Sequence, residues 1–216
     1  MTLHELIDRF RILAQDKATP YLWPDDELVQ WFSDAESEAA IRARLINDSD
    51  ELSITVGEND PVTLPNGLFD IQFAELRAAD GTTSEIVSSS RRELDRVRPG
   101  WRSRRERPTH YVLDDKSLIV SALPDQDYTL HVEFFRTPGN PLQGDGDTPE
   151  IAEAHHLSLL DWVLHCAYSK PDADTMNPGK AADSEAAFTA YFGRRPNADL
   201  RRRQNASRPH RNALHT

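Results

Sequence analysis

Hydrophobic residues near the N-terminus recur with the period of an α-helix. Spacings of three and four place them along one face, and the set is Leu3, Leu6, Ile7, Phe10 and Leu13. This pattern predicts a first helix over 3–16, which Pro20 ends. A second helix is predicted from Pro24 to about residue 46, because a proline followed by three carboxylates suits a first helical turn. Its apolar stripe is narrow and partly alanine.

From residue 52 the period of the pattern changes to two. Leu52, Ile54 and Val56 alternate with polar residues, as in a half-buried strand. Further short apolar runs follow, separated by turn signals rich in Gly, Pro, Asn and Asp. The pattern predicts six or seven strands that form an antiparallel β unit.

Helical periodicity returns after a loop rich in Pro, Gly and Asp. Thr148 and Pro149 favour a helix start, and a fourth helix is predicted over 180–192, ended by Gly193. Neither terminal helix pair can bury its apolar stripe alone. The predicted fold class is therefore α+β. Residues 1–48 and 149–193 form a four-helix bundle, 49–148 an inserted antiparallel β domain, and 194–216 an Arg-rich, flexible C-terminal tail.

Charge is distributed unevenly along the chain. The 216 residues carry 25 Lys and Arg against 36 Asp and Glu, for a formal net charge of −11. Residues 194–216 contain 7 of the basic residues and one acid, Asp199, so the remaining 193 residues hold 18 basic and 35 acidic side chains. An acidic body repels nucleic acid at long range, whereas the basic tail favours a phosphate backbone or an acidic partner.

The same composition limits the class of protein. No apolar run approaches the roughly 18 residues of a membrane-spanning helix, and acids occupy the N-terminus where a signal peptide needs basic and apolar residues. We therefore expect neither secretion by that route nor membrane insertion. A single cysteine, Cys166, excludes an internal disulfide framework and indicates a reducing compartment.

Candidate catalytic and metal-binding groups are weak. His155, His156 and His165 share one predicted helix, but residues nine or ten apart lie about 14 to 15 Å apart along it, too far to share a metal. Cys166 is interpreted as a buried structural cysteine. The paired aspartates occupy a helix start, a turn and a loop, where local geometry favours Asp. We predict no catalytic residue, no metal site and no cofactor.

Two basic stretches are the candidate interaction sites. The first mixes an aromatic with arginines on a predicted loop of the β domain and is a possible subunit or partner contact; it comprises Trp101, Arg102, Arg104, Arg105 and Arg107. The second is the C-terminal tail, a candidate contact for another protein or for DNA, with Arg194, Arg195, Leu200, Arg201, Arg202, Arg203, Arg208 and Arg211. A solvated loop and a merely solubilising tail are the alternatives.

Several short motifs occur in an order typical of one protein family. They are YLWPDDEL at 21–28, AESEA at 35–39, RARLI at 42–46, LP at 64–65, LD at 94–95, PGW at 99–101, PTHY at 108–111, FRTP at 135–138, AF at 187–188 and FG at 192–193. In this order they resemble the head-to-tail adaptor, or connector, proteins of tailed bacteriophages, over roughly residues 20–203. Pro24 departs from the pattern, which has a small polar capping residue there.

The resemblance implies a structural virion protein rather than an enzyme. It implies a ring, usually of twelve subunits, that attaches to the portal protein, receives the next tail or neck component and surrounds the packaged DNA. The C-terminal segment would reach along the portal. The expected location is the neck of the virion, and the host cytoplasm during assembly, with no membrane partner.

Three other functions stay open from the residues. They are another neck component (a head-completion or tail-terminator protein), a small hydrolase or sugar-binding enzyme that uses a carboxylate of the β domain, and a nucleic-acid-binding module led by the tail.

Overall fold

The computed structural model describes residues 1–171 and 175–196, and within them the fold is α+β, as predicted. The chain divides into two compact units. The helical unit comprises Met1–Ile46 and Arg136–Arg195, and the β unit contains Asn47–Phe135. The predicted tail beyond residue 196 lies outside the described residues.

The described residues contain five α-helices and eight strands. The helices are α1 (Leu3–Ala14), α2 (Asp25–Ala43), α3 (Arg91–Val97), α4 (Leu159–Ser169) and α5 (Pro178–Phe192). The strands are β1 (Asn47–Ile54), β2 (Val62–Thr63), β3 (Leu68–Ala78), β4 (Thr83–Glu85), β5 (Val87–Ser88), β6 (His110–Leu113), β7 (Ser117–Val120) and β8 (Tyr128–Arg136). Short 3-10 turns occupy Trp101–Ser103 and Glu153–Ser158.

Local sequence explains where the first helices begin and end. A capping box of Thr2 and Glu5 starts α1, and Gln15, in the left-handed conformation at φ 61°, ends it. The helix that follows Pro24 ends in the same way at Arg44, with φ 53°. Both helices are therefore two or three residues shorter than the hydrophobic pattern predicts.

The predicted helix start at Thr148 and Pro149 is wrong. Residues after Pro149 form an irregular stretch and then the 3-10 turn Glu153–Ser158, so that α4 begins only at Leu159. The amides of Glu150 and Ile151 donate to the buried carboxylate of Glu36, which holds this stretch away from helical geometry.

Helices α1, α2, α4 and α5 contribute to one hydrophobic core, and α4 contacts each of the other three. Its largest fully buried side chains are Phe10, Trp23, Phe32 and Phe188. The finer arrangement as a four-helix bundle stays a prediction.

Residues 136–148 belong to the helical unit, whereas the sequence pattern places them in the β domain. Leu142 is buried in the helical core. The Ser33 hydroxyl of α2 donates to the Leu142 carbonyl (3.2 Å) and accepts from the Leu142 amide (2.7 Å). This loop is therefore fastened to α2.

The β unit consists of two four-stranded sheets, with strand orders β1-β8-β3-β4 and β2-β7-β6-β5. One core cluster draws on both sheets, including Leu76, Leu118, Leu130 and Val132. Strand β1 pairs with β8 in antiparallel register, from Asn47 opposite Phe135 to Ile54 opposite Tyr128.

The prediction of a purely antiparallel unit is wrong at one pair. Strands β5 and β6 run parallel, with Val87 opposite His110 and Ser88 opposite Tyr111. The connection between them contains α3, which the sequence pattern does not predict and which Ser90 caps. Parallel neighbours need such a crossover, and α3 with the following turn supplies it.

Candidate functional site

The C-terminal segment leaves α5 at Gly193. This glycine adopts φ 86° and ψ 176°, a conformation that residues with a Cβ avoid, and its amide donates to the Thr189 carbonyl at 2.9 Å. The predicted helix end at Gly193 is confirmed. The chain therefore turns away from the helix axis immediately before Arg194 and Arg195.

A buried ionic group lies against this turn. Glu38 and Arg42 are one helical turn apart on α2, and Arg42 Nε donates to Glu38 Oε1 at 2.8 Å. Their side chains are only 7% and 6% exposed. Arg195 Nη1 lies 3.3 Å from Glu38 Oε2 although the Arg195 side chain is 60% exposed. Each oxygen of one buried carboxylate therefore faces a different guanidinium.

Arg42 also contacts α4 and α5. Its Nη1 donates to the Thr189 hydroxyl at 2.9 Å and to the Gly193 carbonyl at 3.4 Å. Its guanidinium lies 5.1 Å from the ring centroids of Trp162 and Phe188. The arginine is therefore fixed by charge, hydrogen bonds and aromatic contacts together.

Arg194 is exposed and forms no ion pair with the described part of the chain. The other predicted tail residues lie outside the described residues: Leu200, Arg201, Arg202, Arg203, Arg208 and Arg211. Their assignment to a portal or DNA contact stays a prediction.

Two residues of the basic run 101–107, Trp101 and Arg107, contact the interior of the β unit. The Trp101 ring is 1% exposed in a small core with Leu94 and Val112, and its Nε1 donates to Asp95 at 2.9 Å. The guanidinium of Arg107 lies 5.7 Å from the centroid of the Tyr128 ring. The Trp101 side chain is therefore too buried to contact a partner.

The arginines between them are exposed. Arg102 is paired with Asp95, and this hydrogen bond, followed by that from Trp101, lowers the pKa of the Asp95 carboxyl below its usual value. Arg104 and Arg105 form no ion pair within residues 1–171 and 175–196. They are the exposed arginines of the run that have no ion pair in that part of the chain, whereas Arg107 is half-buried.

The three histidines and the cysteine do not meet in one site, and the prediction that the histidines share one helix is wrong: His155 and His156 lie in the 3-10 turn and His165 lies in α4. His156 bonds to the Ile151 carbonyl, His155 to the Tyr191 hydroxyl and His165 to the Ala181 carbonyl. Within the described ranges, no group of three His, Cys, Asp or Glu side chains could hold a metal ion. Burial, and secondly the charge of Asp34, raise the pKa of the Cys166 thiol to about 11, which suppresses the reactive thiolate.

One aspartate of each predicted pair has a partner within the chain. Asp25 pairs with Arg11, Asp114 pairs with Arg91, and Asp147 accepts from the amides of Gly144 and Gln143, which lower its pKa.

An open cleft of about 510 Å³ on the β unit is lined partly by Glu51 and Asp127. Arg77 pairs with the first, and the Val56 amide donates to the second. Both carboxylates therefore already have structural partners.

Sequence reasoning did not find the Glu38–Arg42 pair. Its spacing of four residues on a helix was a usable signal. Nothing in the sequence shows that the pair is buried against the end of α5, because that contact joins residues about 150 positions apart.

One family model matches residues 1–213, nearly the whole chain, and its description is SU10 adaptor protein. The chain belongs to the SU10 adaptor protein family. This match confirms the resemblance to the head-to-tail adaptor proteins.

Comparisons of this adaptor with curated proteins and with solved structures give no further relative that is closely similar. No curated protein matches it. One solved structure, described as the neck of an empty GTA particle computed with C6 symmetry, is similar at 15% identity over 92% of each chain. Its TM-score is 0.30, which is too low to show a shared fold.

The motif at 21–28 has a structural role in this adaptor. The Arg11 guanidinium donates to Asp16 (2.6 Å) and to the Trp23 carbonyl (3.2 Å), pairs with Asp25, and stacks on the Tyr21 ring, 3.5 Å from its centroid. Trp23 is buried and donates its Nε1 proton to the Ala167 carbonyl at 3.2 Å. The motif therefore fixes the connection between α1 and α2.

None of the helices in the described part of the adaptor combines the length and the apolarity that crossing a membrane requires.

Proposed function

We propose that this adaptor is the subunit of a ring of twelve copies that attaches to the portal protein and connects the phage head to the tail, with a DNA channel through its centre. Membership of the SU10 adaptor protein family over residues 1–213 carries the proposal. The subunit has a structural rather than a catalytic role. It assembles in the host cytoplasm and remains in the virion neck, where it receives the next neck or tail component.

The charge distribution supports a role around DNA. Residues 1–193 hold 35 acidic and 18 basic side chains. Like charge on a channel wall lets DNA pass without binding, because each contact between a cation and a phosphate would add affinity. The acidic body suits a conduit better than a DNA-binding surface.

The C-terminal segment is the proposed contact with the portal. Residues 194–216 combine 7 arginines with one acid and few apolar residues, a composition suited to folding on an acidic partner. Arg194 and Arg195 are exposed where this segment begins.

Contacts between neighbouring subunits in a ring are heterologous, so each subunit must present two different surfaces. Arg104 and Arg105, exposed on the β unit, are the proposed basic side of that contact. An acidic surface of the next subunit is the complementary side.

Deletion of residues 194–216 tests the portal contact. We expect the shortened chain to keep its thermal unfolding transition and circular dichroism spectrum but to lose binding to the portal protein of the same phage. Unchanged portal affinity would contradict the proposal. If the segment instead bound DNA, the full chain would retain duplex DNA with an affinity that falls steeply as salt rises, and the deletion would abolish that binding.

A further inference from the structure

Two arginines contact the buried Glu38 carboxylate beneath the C-terminal segment, although one would be enough to pair its charge. A buried carboxylate needs a partner, because an isolated charge in the interior is costly. Arg42 already supplies that partner to Glu38 at 2.8 Å. Arg195 adds a second cation, and it comes from the segment that follows α5.

The contacts of this group hold the segment at two points. Arg42 donates to the Gly193 carbonyl, and Glu38 pairs with the Arg195 side chain. Just before the first of these points, the positive φ of Gly193 directs the chain off the helix axis. The start of the segment is thereby tied to α2, in addition to the bond from the Gly193 amide to the Thr189 carbonyl of α5.

The supporting side of the group is rigid. Thr189 and the rings of Trp162 and Phe188 fix the Arg42 guanidinium, and Phe188 is fully buried. A side chain held by three elements can act as a fixed point, whereas a solvated ion pair on a surface cannot.

We infer that Glu38 and Arg42 form an anchor that fixes where and in which direction the C-terminal segment leaves the helical unit, and that Arg195 is the residue of the segment that engages it. The inference rests on the proposed function, in which the following residues bind the portal. A segment with an ordered base loses less conformational entropy when it docks. Glu38, Arg42 and Arg195 are thus positioning residues for portal capture.

The isolated chain provides the first test. We expect Arg195→Gln to lower the backbone ¹⁵N order parameters of residues 193–195 from the rigid range, about 0.85, towards about 0.6. The matched control is Arg194→Gln, which removes the same charge from the neighbouring exposed arginine and should leave these order parameters unchanged. Equal values in the two variants would overturn the anchor.

Portal affinity provides the second test. We expect Arg195→Gln to bind the portal about tenfold more weakly than Arg194→Gln does, the equivalent of ordering about one further residue. Arg195→Lys, which keeps the positive charge next to Glu38, should recover most of the loss. A charge effect alone would weaken the Arg194 and Arg195 variants equally and would refute the anchor.

Glu38→Gln separates the anchor from the segment itself, since it leaves every residue of the segment intact. We expect the same weakening as for Arg195→Gln, and no further loss when both changes are combined. The control is Glu27→Gln, which removes a carboxylate of the same helix that pairs with Lys170. Additive losses in the double variant would count against the anchor.

The two proposals fail differently. Portal binding that survives deletion of 194–216 refutes the portal contact, while the order parameters still test the anchor. Loss of binding on deletion, with Arg194 and Arg195 variants that behave alike, refutes the anchor alone.

Discussion

A few buried polar side chains fix the connections of the helical unit. Arg11, Asp16, Glu36 and Glu38 are all nearly inaccessible to solvent, and each binds backbone or charged groups of another segment. Buried polar groups without such partners would destabilise the fold. These residues therefore specify the conformation of loops that have little regular structure of their own.

Asp16 is the centre of the first of these networks. It accepts from Arg11 and from the amides of Leu22 (2.9 Å) and Trp23 (3.4 Å). We expect Asp16→Ala to lower the free energy of unfolding by about 3 kcal/mol, because it leaves a buried guanidinium and two amides short of partners. Urea denaturation measures this.

The control for that prediction is Asp8→Ala on α1, the helix that precedes Asp16. Asp8 is exposed and faces His4 at 3.6 Å, so its loss should change the free energy of unfolding by less than about 0.5 kcal/mol. Equal effects of the two substitutions would show that the network is not stabilising.

Glu36 predicts a dependence on pH. Burial raises the pKa of its carboxyl above 4.5, although the amides of Ile151 and Glu150 oppose the shift. A raised pKa means that the folded state binds more protons, so this group destabilises the fold as pH rises above its ordinary pKa. Glu36→Gln keeps an oxygen acceptor and removes the charge.

We therefore expect the melting temperature of Glu36→Gln to exceed that of the parent at about pH 8 and the difference to shrink towards pH 4.5. Thermal unfolding over this range measures it. Glu36→Ala, which leaves two amides unpaired, should be about 2 kcal/mol less stable than Glu36→Gln at every pH. A Gln variant less stable than the parent at pH 8 would contradict the prediction.

The sequence alone does not reveal which polar residues of the helices are buried. Glu36 and Glu38 look like ordinary polar positions of an amphipathic helix, alike in type and spacing to exposed acids nearby. Burial depends on which segment packs on top, and that segment lies more than 100 residues away in the chain. Arg104 and Arg105 are exposed whereas Trp101 beside them is a core residue, a difference that the sequence of the run does not show.

At the scale of elements, strand β1 lies at the edge of its sheet and is exposed along most of its length. Such an edge offers unpaired donors to a strand of another molecule. Here the amides of Ser49 and Glu51 donate to the side chains of the preceding Asp48 and Asp50, at 2.9 and 2.8 Å. The two aspartate side chains thus accept from backbone amides that the edge strand would otherwise offer to another molecule.

We expect the double substitution Asp48→Ala and Asp50→Ala to promote association between sheets, because it exposes two backbone donors and removes two charges. Sedimentation velocity should show a rise in dimers and larger species at concentrations where the parent is monomeric. The control, Glu58→Ala with Asp60→Ala, removes two charges from an exposed turn nearby. If both variants associate alike, net charge rather than the edge is responsible.

Elements with a long, regular period were predictable, and short ones were not. α1, α2 and α5 each show a stripe of apolar residues; α5 ends where predicted, whereas α1 and α2 end two or three residues earlier than the pattern indicates. α3 has seven residues and only Leu94 buried, so no stripe announces it. The parallel pairing of β5 with β6 involves strands of two and four residues, whose register depends on the crossover between them.

At the scale of the whole molecule, the acidic body and the basic C-terminal segment favour assembly only in the presence of a partner. We expect the isolated chain to sediment as a monomer or a weak oligomer and to form rings only when portal protein is added. Repulsion between acidic bodies opposes spontaneous assembly, and a portal platform overcomes it by raising the local concentration.

Arg104→Ala with Arg105→Ala should reduce ring formation on the portal while leaving binding of single subunits intact. Arg92→Ala with Lys116→Ala removes the same charge from exposed positions of the β unit and is the control. Electron microscopy of portal mixtures counts the rings. Stable rings of the isolated chain, or equal losses in both variants, would contradict this prediction.

The shielded thiol of Cys166 makes the adaptor convenient for spectroscopy. With a pKa of about 11, on the order of one molecule in ten thousand carries the thiolate at pH 7. Maleimide dyes should therefore react slowly there and rapidly at a cysteine newly introduced on the surface. Single-site fluorophores can then report on neck assembly without first replacing the native residue.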